Sequence, residues 1–148
     1  MACAAASTII AHLRDTNRAP DYYDLIVTGD LGIHGRELLL DVLEMHGIDI
    51  HCEARLGMLP SPISPETDIL FQDCGAMIFD PVAQNTCSGG SGCGCSATVL
   101  TAYLLKLLED AAINKILFVA TGALMSPVSV KQGEPILGIA HGIAIENR

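Results

Sequence analysis

The sequence predicts an α/β fold in which one sheet packs between helices, and three observations carry that prediction. The runs Asp24–Thr28 and Lys115–Thr121 are short, continuous and apolar, the character of strands buried on both faces. Stretches with apolar residues at helical spacing alternate with them, as in βαβ units. Half of the 148 residues are hydrophobic, yet only 4% are aromatic and Trp is absent. The core must therefore be built from Ala, Val, Ile and Leu in closely packed layers, and one domain of this length can bury a full core.

Taken in order, a helical pattern covers Ala4 to Arg14, with Ile9, Ile10 and Leu13 on one face. A chain that opens inside a helix is what a piece of a longer protein would present. Thr16 to Asp21 holds Asn and Pro and reads as a loop. The strand Asp24–Thr28 ends in the turn Gly29-Asp-Leu-Gly32, and from Gly35 to His46 the residues Leu38, Leu39, Val42 and Leu43 make a helix stripe. His51 to Asp68, with three prolines and little periodicity, reads as a long loop. Asp73-Cys-Gly75 leads into Ala76–Phe79, a second expected strand. After it come the glycine-rich segment Asn85–Ala97 and a helix whose stripe is Val99, Leu100, Tyr103, Leu104, Leu107 and Leu108. With Lys115–Thr121 these make a β-loop-α-β unit, right-handed if the two strands are parallel neighbours. An excursion from Ser126 to Pro135 leads to a strand over Ile136–Glu146, where Ile139, His141, Ile143 and Ile145 alternate with Gly138, Ala140, Gly142 and Ala144. The small-residue face would let a helix or another sheet approach closely.

The segment NTCSGGSGCGCSA, from Asn85 to Ala97, concentrates the chemistry. Glycines permit tight bends and close backbone approach, and a helix start offers N–H groups and a dipole that attract a carboxylate, a phosphate or an oxyanion and depress a nearby thiol pKa. Ligand binding and tight burial of a helix end both account for this composition. Thr28, Gly29 and Asp30 lie at the carboxyl end of a strand, where ligands gather in open α/β sheets, although a turn Asp also serves as a cap. Glu134 and Asp30 are the carboxylates in glycine-rich settings, and both are expected to make local hydrogen bonds. A nucleophile would be Cys93 or Cys95, with His141 as base; His34, His46 and His51 are expected to face solvent. Cys87, Cys93 and Cys95 offer C-x5-C-x-C, but without the second pair of a structural zinc site, so no metal is expected. The chain carries no nucleophile elbow, Walker loop, zinc-protease motif or dinucleotide fingerprint.

Composition excludes other classes. Seventeen acidic residues against eight basic ones give a formal charge of -9, which opposes nucleic-acid backbones. No apolar run reaches the roughly 20 residues that cross a bilayer, and MACAAASTII lacks the form of a secretory signal. An intracellular location and reduced thiols are the expectation.

The runs YDLIVTGDLG, DCGAMIFD, GGSGCGCSATVL, ILFVATGALMSP and QGEPILGIAHGIAIE closely resemble the stage V sporulation protein AD family, over nearly the whole chain and about the C-terminal half of the family's length. The resemblance implies half of a thiolase-like fold, related to the ketoacyl synthases, with a mixed five-stranded sheet between helix layers and an N-terminal half as partner; a homodimer is the other association expected. It implies a non-catalytic sporulation protein that binds dipicolinic acid, alone or as its calcium chelate, and helps move it into the developing spore with membrane proteins of the same operon. Such a protein would sit in the forespore or spore, peripheral to the inner membrane. The ketosynthase His falls at Gly29 or Asp30 and the Asn at Cys93, so the acyl-transfer set is replaced. Asn85-Thr-Cys87 stands where the family has Asp-x-His, and Pro135-Ile-Leu137 where it has Ser-Ile-Pro; these departures bear on contacts near Cys87 and the path near Pro135.

The expected ligand pocket is bounded by Thr28, Gly29 and Asp30, by Gly89, Gly90, Ser91, Gly92, Cys93 and Cys95, and by Thr121, Gly122 and Ser126, with backbone N–H groups and Ser hydroxyls holding a carboxylate of a small aromatic diacid. No resident cofactor is expected. The rivals are an acyltransferase using Cys95 or Cys93 with His141, and a scaffold that only packs against another half.

Overall fold

A computed structural model describes residues 1–50, 70–91, 94–124 and 126–147. The loop expected at 51–68 and the site residues Gly92 and Cys93 lie outside the described residues.

Strands β1 (Leu25–Thr28), β2 (Leu70–Asp73), β3 (Lys115–Ala123) and β4 (Gly138–Glu146) form a mixed sheet in the order β2-β1-β3-β4. β1 runs parallel to both its neighbours, and β4 pairs antiparallel with β3. Five strands are expected, and the sheet has four among the described residues. Helices cover both faces. On one, α1 (Ala2–Thr16) and α2 (Gly32–Met45) bury Ile9, Leu13, Leu39 and Leu43 against Ile26, Phe71, Leu117 and Val119. On the other, Leu25, Val27, Ile116 and Phe118 meet Met77, Cys95, Val99, Leu104 and Leu108. The alternation of Ile26 against Leu25 and Val27 is the strand period of two, and it divides one apolar run between two cores.

The expected strand at Ala76–Phe79 is instead mostly helix: α3 spans Cys74–Ile78, and the strand lies earlier, at Leu70–Asp73. The reason is Asp73, whose side chain accepts from Gly75 N and Ala76 N as an N-cap and ends the extended backbone there. Because β1 lies between β2 and β3, the expected β-loop-α-β unit does not join neighbouring strands. Two further short helices form: α4 (Pro81–Gln84), just before the glycine-rich segment, and α7 (Pro127–Lys131), inside the excursion expected at 126–135.

The helix after the glycine loop runs as α5 (Cys95–Val99), a π turn (Leu100–Leu104) and α6 (Leu105–Glu109). Buried Val99 and Leu104 are five residues apart, and the wider π turn brings both to the same core.

The small-residue face of β4 lies under α1. Thr8 Oγ1 donates to Ala140 O at 3.0 Å, and a Cβ on Gly142 would stand 3.3 Å from Thr8 Cγ2. The opposite face leaves Ile139 and Ile143 exposed by 56% and 52%. At the far end of the sheet Arg18 pairs with Glu146 at 2.9 Å and lies 4.2 Å over the Tyr22 ring, tying the exit of α1 to β4.

Gly142→Leu should lower stability by about 1–3 kcal/mol, the usual cost of overpacking, while Ile143→Ala should change it by less than ~0.5 kcal/mol, as for surface substitutions. Urea unfolding of both variants checks the difference; equal effects would contradict the packing of α1 on β4.

Candidate functional site

The carboxyl ends of β1 and β2 each carry a caged carboxylate. Asp73 is fully enclosed, at 0% exposure. Its Oδ1 accepts from Gly32 N at 3.0 Å, Gly75 N at 3.1 Å and Ala76 N at 3.2 Å, and its Oδ2 from Thr28 Oγ1 at 2.7 Å and Leu31 N at 2.9 Å. Thr28 and Asp73 are register partners on adjacent parallel strands, so the sheet itself sets this contact. The donors come from the end of β1, the start of α2 and the start of α3. A buried charge is tolerated only with such hydrogen bonding. Even so, burial pushes the Asp73 carboxyl above the ordinary carboxylate range, and the bonds from Thr28, Leu31, Ala76 and Gly32 pull it partly back.

Asp30, 8% exposed, is the second carboxylate. Its Oδ2 accepts from Ser91 N at 2.8 Å, Ser91 Oγ at 2.9 Å and Gly90 N at 3.1 Å. Local hydrogen bonds are expected for Asp30, but among the described residues its side-chain partners, Gly90 and Ser91, stand 60 and 61 residues further along the chain. Glycines clear the space around it. A Cβ on Gly75 would overlap Asp30 Oδ1, and one on Gly89, where φ is +94°, would stand 2.7 Å from Asp30 O. Gly29 presses against Thr121, since its Cβ would fall 2.6 Å from Thr121 Oγ1, which accepts from Asp30 N at 3.4 Å.

The structure therefore brings Gly29, Asp30, Gly89, Gly90, Ser91 and Thr121 together, but their donors face inward to Asp30. Thr28 is enclosed and serves Asp73. Gly122 is half-buried on β3, with room for a Cβ, which would meet only Ile139 Cγ2 at 3.8 Å. Ser126 caps α7, accepting from Ser129 N at 3.4 Å, and among the described residues it has no hydrogen bond to the glycine loop.

Cys95 opens α5 but is only 2% exposed. Burial pushes its thiol up, a hydrogen bond with Ser91 pulls it down, and the charges of Asp30 and Asp73 push it further up. Cys74, in the same apolar cluster, is pushed up by burial and by Asp73. Both environments oppose the thiolate. His141 lies on the outer strand, register-paired with Ala120 and exposed, and no hydrogen bond joins it to Cys95 among the described residues. His34 and His46 are exposed as expected, and His51 lies outside the described residues.

Sequence reasoning missed Asp73. Its signal was slight: an Asp standing immediately before the apolar stretch that opens at Cys74 is a residue type favoured at an N-cap.

A family model described as stage V sporulation protein AD matches residues 1–146. The chain is 41% identical over 146 residues to the stage V sporulation protein AD of Bacillus subtilis (strain 168), covering 99% of this chain and 38% of that protein. No helix among the described residues is long and apolar enough to cross a membrane.

The raised Asp73 carboxyl has a definite pH sign. The folded state keeps a proton that the unfolded chain releases, so this contribution to stability is complete below the unfolded value of about 3.9 and is lost as pH rises through the folded value. The stability of wild type relative to Asp73→Asn should decline as pH is raised above about 4, measured by urea unfolding at each pH. A difference that grows with pH would mean that the five donors outweigh burial.

Proposed function

The chain belongs to the stage V sporulation protein AD family, and on that premise we propose that it is the non-catalytic, dipicolinate-binding part of a sporulation protein that works in moving dipicolinate into the spore. It would do so as half of a thiolase-like fold, beside an N-terminal half and membrane proteins of the same operon, peripheral to the inner membrane of the forespore or spore.

The observation that carries the reading is that the glycine loop already binds a carboxylate. Two backbone N–H groups and one hydroxyl, from Gly90 and Ser91, converge on the carboxylate of Asp30. These are the donors an aromatic diacid requires, at the end of the sheet where ligands of α/β folds gather. Thr121 and Gly122 border the same end. The net charge of -9 opposes a dianion at long range, so local donors or an accompanying calcium ion would have to offset the repulsion.

The absence of acyl transfer is supported by the state of the thiol. A nucleophilic thiol needs a depressed pKa, and that of Cys95 is raised by burial.

Calorimetric titration of dipicolinate, with and without calcium, tests the reading. Binding is expected in the wild type, weakened at least about tenfold, or 1.4 kcal/mol, in Gly90→Leu, whose side chain would strike Thr86. Equal affinity in both would remove the site from the glycine loop. Thioester turnover lost in Cys95→Ser would favour the acyltransferase instead.

A further inference from the structure

We propose that the Asp30 carboxylate is a built-in competitor at the glycine loop: it holds the donors of Gly90 and Ser91 closed, and a ligand carboxylate binds by taking them over as Asp30 releases them. This rests on the reading of the loop as a carboxylate-binding site and adds how access to it is controlled.

Three observations support an exchange. The donors form a nest for one carboxylate, with Oδ2 of Asp30 receiving all three at 2.8–3.1 Å. Gly75 and Gly89 carry no side chain where Asp30 sits, so the space beside the donors is left to a carboxylate group. A second anion cannot enter while Asp30 remains, since like charges at such range repel strongly in a partly buried site.

The two caged carboxylates also differ in what holds them. Asp73 is enclosed and gripped by the ends of three elements of the fold, whereas among the described residues the donors to the Asp30 side chain come from residues 90 and 91, both of which are exposed. Breaking the Asp73 cage would dismantle the sheet ends. Releasing Asp30 opens a loop and leaves both cores intact. Glycines at 89 and 90 allow the local backbone change that such opening requires.

The test is dipicolinate titration of the wild type, Asp30→Ala and Asp30→Asn, joined to hydrogen exchange of the Gly90 and Ser91 amides. Asp30→Ala should bind at least tenfold tighter. Its two amides should exchange faster than wild type without ligand and regain protection with saturating dipicolinate. Asp30→Asn, which keeps one acceptor, should show a smaller gain in affinity, and it decides the matter if circular dichroism shows that the alanine variant is unfolded. Asp80→Asn, which removes an exposed charge at the start of α4, should change affinity less than twofold at 0.15 M salt, where exposed charges are screened within about 8 Å.

Equal or weaker binding by the Asp30 variants, with the wild type still binding, would overturn the competitor role and leave the dipicolinate reading standing. An equal gain in Asp80→Asn would reduce the effect to net charge and also overturn it. No binding by any of the proteins at millimolar dipicolinate would remove both.

Discussion

The buried Asp73 carboxylate is the constraint on which the site end of the molecule depends. Five donors must stay directed at it, and they belong to Thr28 at the end of β1, Leu31 and Gly32 at the start of α2, and Gly75 and Ala76 in α3. Meeting them together sets the angle at which α2 leaves the sheet and the point where β2 becomes helix. It also fixes the turn that carries Asp30. From there the second carboxylate reaches across to Gly90 and Ser91, so a loop remote in sequence is fastened to the sheet by a charge rather than by apolar contact. The glycines serve this arrangement: at 75 and 89 the space a side chain would need is taken by Asp30.

Much of the fold was legible because its signals are local and periodic. The apolar run at 24–28 became β1, that at 115–121 became β3, and the alternation in 136–146 predicted both β4 and a close neighbour on its small face, which is α1. The stripe from Val99 to Leu108 also faces a core, though the π turn within it left no mark in a pattern read with a period of 3.6. Ala76–Phe79 was misplaced because four apolar residues suit a strand or a helix equally, and the side chain of Asp73 decided between them.

The site was legible in its location but not in its bonding. Gly29, Asp30, the glycine loop and Thr121 were grouped from their places at strand ends, and they do converge. That the loop donors meet Asp30 could not be read, since the partners are about sixty residues apart and no spacing rule links them. Ser126 was grouped with them by position alone, whereas its hydroxyl serves its own helix.

A closed carboxylate nest and buried thiols are the two features on which the proposed binding role rests. The central claim is that a carboxylate is what the glycine loop holds. The most direct measurement is a double-mutant cycle between Asp30→Ala and Ser91→Ala, read by urea unfolding. The account predicts a coupling of about 1.5–3 kcal/mol, as for a hydrogen bond to a charged group. Additive effects, within about 0.3 kcal/mol, would contradict it.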